Sequence, residues 1–279
     1  PYRLGPAADS LLHNRIDKRP PRTAFIDDTI LTGTEPLTDE YLDSIGSTSV
    51  GLAAMEYLIF DPETGNEAIL TSFTDAETGP RRLAYLLALA HNLPSKAAAL
   101  SHIWAADGDN YAQAFSDAAM DGGELQGPIN MLVNRMIADL EEIISSRLGK
   151  PTGKRSNGVA RPDLAEAPSS QASLPRIVAT VESLQTAFNG NAGLGLDDYL
   201  DYLEAEYEGE PLSQTINAQF AVSLAALEAI EGPLETAVTA HPDQVDTAYE
   251  ALRSLLVLLK VDMTNQLGLT LTFNDNDGD

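Results

Sequence analysis

Apolar positions recur at helical spacing through most of the chain. In INMLVNRMIADLEEIISSRLG, residues Ile129, Leu132, Val133, Met136, Leu140, Ile143 and Ile144 form one stripe, because residues three and four apart share a helix face. Gly127-Pro128 is a start signal for that helix and Gly149 a stop signal. A second stripe, Leu174, Ile177, Val178, Val181, Leu184 and Phe188, stops at Asn189-Gly190. Two more run from Leu212 to Ala240 and from Val245 to Leu267, the first with a kink or break expected at Gly232-Pro233. Nearer the N-terminal end, RRLAYLLALAHNLPSKAAALSHIWAA predicts a long helix that Pro94 bends or divides. Only LTLTF, near the C-terminal end, alternates, and it makes at most one short strand. The expected fold class is all-α.

Between Gly149 and Ala172 the periodicity lapses in GKPTGKRSNGVARPDLAEAPSSQA, a segment rich in Gly, Pro and Ser and too long for a bundle turn. It predicts a first helical bundle over residues 1–150, a linker over 151–172 and a second bundle over 173–279. Lys150, Lys154, Arg155 and Arg161 lie in or beside the linker, whereas residues 177–279 hold only Arg253 and Lys260 against 18 Asp and Glu. A basic connector can dock on an acidic second half by charge, or it can be a solvated loop.

One carboxylate breaks the pattern. In GLAAMEYLIF, Glu56 shares a helix face with Leu52, Ala53, Ile59 and Phe60. A carboxylate on an apolar face needs a cation, a metal or several hydrogen-bond donors, or else it stays protonated. Arg81 and Arg82, at the head of the next helix, are the expected cations, and Ser169, Ser170 and Ser173 after the linker are possible donors.

Composition narrows the functional classes. The 279 residues carry a net charge of −25 with a pI near 4.3, which argues against nucleic acid and anionic lipid as partners. With no cysteine there are no disulfides, thiolate metal sites or cysteine nucleophiles. The longest apolar run, LAYLLALA from Leu83, is far short of a membrane span. The first residues, PYRLGPAADS, have no secretory pattern, so any signal peptide is expected to have been removed or to be left out of this sequence.

Other constellations are less specific. Asp197, Asp201, Glu204 and Glu208 share one face if LDDYLDYLEAEYEGE is helical, which suits either a hard cation or plain solvation. The ending NDNDGD has the oxygen-rich start of a calcium loop without the downstream Glu. His91 and His102 point the same way on a helix but stand about 16 Å apart by rise, too far to share a metal. There is no HExxH, GxSxG or phosphate-binding glycine loop.

The motif region, with GPAADSLL, RRLAYLLALAHNL, GLGLDDYL and QLGLTLTFNDNDGD, resembles the imelysin family of bacterial cell-envelope proteins. That family includes iron-regulated members and candidate metallopeptidases. Its Gly-x-His-x-x-Glu motif is met at Gly51 and Glu56, with Ala53 where the histidine belongs. The resemblance implies two packed helical bundles with the motif helix near their interface, and a helical segment before YRLGP that this chain lacks. It implies a periplasmic or surface-associated bacterial location, other envelope proteins as partners, and iron, another metal or haem as cofactor. Zinc at Glu56 is not expected, since catalytic zinc usually takes three protein ligands and Ala53 offers none.

The resulting reading is a non-enzymatic, imelysin-like envelope protein that binds a small ligand or metal at the domain interface around Gly51, Ala53 and Glu56, in an iron-related role. The alternatives are a metallopeptidase of the same family and a structural or interaction protein without ligand.

Overall fold

A computed structural model of the chain describes residues 3–117 and 127–271. Helices dominate, and the chain divides into two compact units, Pro1–Ala118 and Ala119–Asp279. Among the described residues no helix is long and apolar enough to cross a membrane.

The first unit contains α1 (Leu12–Ile16), α2 (Asp39–Ser44), α3 (Gly51–Ile59), α4 (Gly65–Thr74), α5 (Gly79–Trp104) and α6 (Tyr111–Asp117). Its core gathers Ile26, Ile30 and Leu31, Leu42 of α2, Val50, Ala54 and Leu58 around α3, and Tyr85 and Leu89 of α5. The Thr38 hydroxyl caps α2 by accepting the Tyr41 amide at 3.2 Å. A repeated turn sequence flanks α4: in DPETG Asp61 accepts the amides of Glu63 and Thr64, and in DAETG Asp75 accepts those of Glu77 and Thr78. Each Asp thereby satisfies two amides ahead of a helix. These hydrogen bonds hold both carboxyls below their ordinary range, the Thr64 hydroxyl leading for Asp61 and the Thr78 amide for Asp75. Of the bend or division expected at Pro94, no division occurs: the long helix α5 runs through that residue.

The second unit contains α7 (Pro128–Glu142), α8 (Ser173–Asn189), α9 (Leu196–Tyr202), the strands β1 (Glu206–Tyr207) and β2 (Glu210–Pro211), α10 (Leu212–Glu228), α11 (Leu234–Ala240) and α12 (Pro242–Val257). Its larger core joins the predicted stripes, with Val133, Met136, Leu140, Ile143 and Ile144 packed among Leu174, Ile177, Val181, Leu184 and Phe188. The Phe188 and Phe220 rings lie 5.8 Å apart at its centre. Gly190, with φ of 66°, ends α8, and the break at Gly232-Pro233 separates α10 from α11.

Three expectations are corrected. The units divide at residues 118 and 119, not within 151–172, because α7 buries its stripe against α8 and α12. The expected linker is a packed part of the second unit: Ala165 and Ala167 are buried, and the Arg161 amide donates to the Pro151 carbonyl at 2.7 Å. Its Gly and Pro residues make turns against the helices, as Gly153 does with φ of 75°. Docking by charge does occur, with Lys154 Nζ 3.0 Å from Asp246 and 4.6 Å from the Tyr249 ring centre. Glu166 of the same segment accepts from Arg147 and Arg176.

The acidic helical face is also broken. α9 stops at Tyr202, and Glu208-Gly209, with φ of 53° and 88°, forms a two-residue hairpin turn between β1 and β2. Asp201 accepts the Ser213 hydroxyl, and Glu204 and Glu208 are not on a helix. Of LTLTF, Leu269 to Leu271 are not in a strand and the rest lies outside the described residues, as does NDNDGD.

Candidate functional site

The site is built on the first turns of α3. Gly51 has φ of 71°, and a Cβ there would lie 2.2 Å from the Ile16 carbonyl oxygen and 2.5 Å from that of Arg15. Only glycine permits both the left-handed backbone and that approach. The end of α1 is therefore laid against the start of α3. Arg15 fixes it from the other side, donating through Nη1 to the Ile45 carbonyl at 2.7 Å and through Nη2 to the Leu42 carbonyl.

The chain leaving α1 then delivers Arg19 to Glu56. Arg19 Nη1 is 2.5 Å from Glu56 Oε2, and the two side chains are only 11% and 10% exposed. Arg19 Nε donates to Asp17 Oδ1 at 2.9 Å, so the guanidinium is held between two carboxylates. Ala53, one turn before Glu56, is fully buried. At the next residue of α3, the Tyr57 hydroxyl donates to Asp27 Oδ2 at 2.5 Å. Burial, followed by the Asp27 hydrogen bond and charge, pushes the Tyr57 phenol well above its ordinary value.

The cation on Glu56 is thus Arg19, a residue the sequence reading did not name. Arg81 and Arg82 serve elsewhere in the same unit: Arg81 Nε donates to the Ile30 carbonyl at 2.9 Å and Arg82 Nη2 to the Leu58 carbonyl at 3.0 Å. Arg82 also lies 5.4 Å from the Phe73 ring centre. Ser169, Ser170 and Ser173 belong to the second unit. There the buried Ser173 hydroxyl accepts the Ala167 amide at 2.9 Å and donates to Glu235. The one available signal for Arg19 was its charge beside the polar run DKRPPR; its pairing depends on how α1 turns back over Gly51.

Chemically, the described residues of the site offer a carboxylate paired with a guanidinium. Among the described residues no group of three His, Cys, Asp or Glu stands ready to hold a metal ion. His91 and His102 are exposed, and His102 Nε2 is 3.7 Å from Asp109.

The family model for imelysin, peptidase M75, matches residues 1–259. The fold is similar to that of an imelysin-like protein from Psychrobacter arcticum 273-4, with a TM-score of 0.72 and 18% identity over 97% of this chain and 76% of that one. It is also similar to a candidate iron-regulated protein A precursor from Parabacteroides distasonis ATCC 8503, with a TM-score of 0.68 and 19% identity over 94% of this chain and 77% of that one. No curated protein matches the chain. With a family model covering most of its length and the same helical fold in both structures, the chain belongs to the imelysin family.

Proposed function

We propose that this chain is a non-peptidase imelysin of the bacterial cell envelope, periplasmic or surface-associated, which binds a small polar ligand beside Glu56 in an iron-related role. The observation that carries the reading is the buried Arg19–Glu56 pair beside Ala53. A buried ion pair adds little to stability compared with an apolar pair of similar size. Its presence on a largely apolar helix therefore supports a use in recognition, and Ala53 offers no imidazole for hydrolytic metal chemistry. The name of the Parabacteroides protein supports the iron-related context.

The test is calorimetric titration of the purified protein with ferric citrate and with haem, repeated on Glu56→Gln. Saturable binding of either, weakened in the variant, supports the proposal. Chelator-sensitive peptide cleavage lost in the same variant would replace it with the peptidase reading. No binding and no cleavage would leave a structural or interaction role.

A further inference from the structure

The family's histidine-containing motif suits a metal ion at the motif helix, and the residues of this chain do not fit one. Position 53 is a buried methyl with no donor atom. Among the described residues no trio of candidate ligands is assembled. Glu56 Oε2 lies 2.5 Å from a guanidinium nitrogen, so a metal ion at that oxygen would meet a positive charge already in place.

We infer that Arg19 takes the metal's role in this chain: its guanidinium is the cation that Glu56 requires, and Gly51 and Glu56 together fasten the segment from Arg15 to Arg19 onto α3. Three contacts make the arrangement specific. The Arg15 and Ile16 carbonyls reach within contact of Gly51, where any side chain would collide with them. Arg15 anchors the same stretch to the Leu42 and Ile45 carbonyls. Asp17 holds Arg19 Nε at 2.9 Å and orients its planar fork toward Glu56. Arginine suits the task because it stays charged, is weakly hydrated and presents several donors in fixed directions. A metal-binding imelysin would need ligands converging on Glu56; here the chain folds back over a glycine and brings the Arg19 guanidinium there instead.

The inference concerns the protein without ligand, so its test is separate from that of the proposed function. Arg19→Met, Glu56→Gln and the double variant are compared by urea denaturation in the absence of iron and haem. Each single substitution leaves a charged or polar partner buried, so the double variant is expected to be more stable than the sum of the two losses predicts. Trypsin cleavage after the exposed Lys18 is expected to accelerate about tenfold in either single variant, as the segment detaches more often. Additive losses with unchanged cleavage would overturn the inference. A second measurement does not depend on variants that fold: the unsubstituted protein is dialysed against zinc and manganese and its metal content determined. Substoichiometric metal is expected, and one tightly held equivalent per chain would overturn the inference.

Discussion

The Ile16 carbonyl oxygen lies only 2.2 Å from where the Cβ of any other residue at position 51 would be. Gly51→Ala is expected to destabilise the first unit beyond the roughly 1–2 kcal/mol of a left-handed alanine, because the obstructing atoms are backbone and cannot swing aside. Thermal denaturation measures the loss, and an unchanged melting temperature would contradict the close approach.

Ala53→His tests the motif departure directly. Ala53 is fully buried, so the larger ring is expected to cost about 1–3 kcal/mol of stability by overpacking. Zinc affinity should rise little while Arg19 holds Glu56. In Ala53→His combined with Arg19→Ala it should rise about tenfold or more, since imidazole and carboxylate then share one helix face. Isothermal titration of both variants with zinc distinguishes the two outcomes.

Tyr57 gives a pH signature. Burial and then Asp27 raise its folded pKa above the ordinary 10.0. A group raised in the folded state contributes stability that is whole below the unfolded value and lost as pH climbs from there through the folded one. Alkaline destabilisation is therefore expected to begin above pH 10 and to be smaller in Tyr57→Phe. At neutral pH that variant should lose about 0.5–1.5 kcal/mol with the hydrogen bond. Denaturation curves at several alkaline pH values for both proteins decide it.

Asp43 behaves in the opposite sense. Burial pushes its carboxyl up, but the Lys96 hydrogen bond and charge, with Arg15, outweigh that and hold it below 3.8. The stability it supplies is present above the unfolded value and lost as pH falls through the folded one. Because its side chain is 46% exposed, Asp43→Asn should cost less than about 1 kcal/mol at pH 7. The difference between the two proteins should hold above pH 3.8 and shrink in acid denaturation as pH falls below that value.

Ser173→Ala should weaken the second unit by about 1–3 kcal/mol, because the Ala167 amide and the Glu235 carboxylate both lose a buried partner. Urea denaturation followed by circular dichroism measures it, and a neutral result would mean that water replaces the hydroxyl.

Much of this fold was legible in the chain. The stripes through Ile129 to Ile144 and Leu174 to Phe188 specify helices, since burial of one face is a local, periodic property. Glu56 on an apolar face likewise announced that a partner was needed. The hairpin at Glu208-Gly209 was not legible, because two strands of two residues carry no alternation to detect. The segment 149–172 misled for a related reason: Gly and Pro encode turns, and composition does not say whether turns pack against helices or separate them.

What only the tertiary structure decided was which cation Glu56 receives. Arg19, Arg81 and Arg82 are alike in charge, and sequence distance favoured the latter two. The choice was made by the return of α1 over Gly51, which brings Arg19 to the carboxylate while Arg81 and Arg82 donate to the Ile30 and Leu58 carbonyls. A helix stripe reports the burial of its own residues; an ion pair between residues 37 apart depends on the path of the intervening chain, and that path is set by packing across the whole unit.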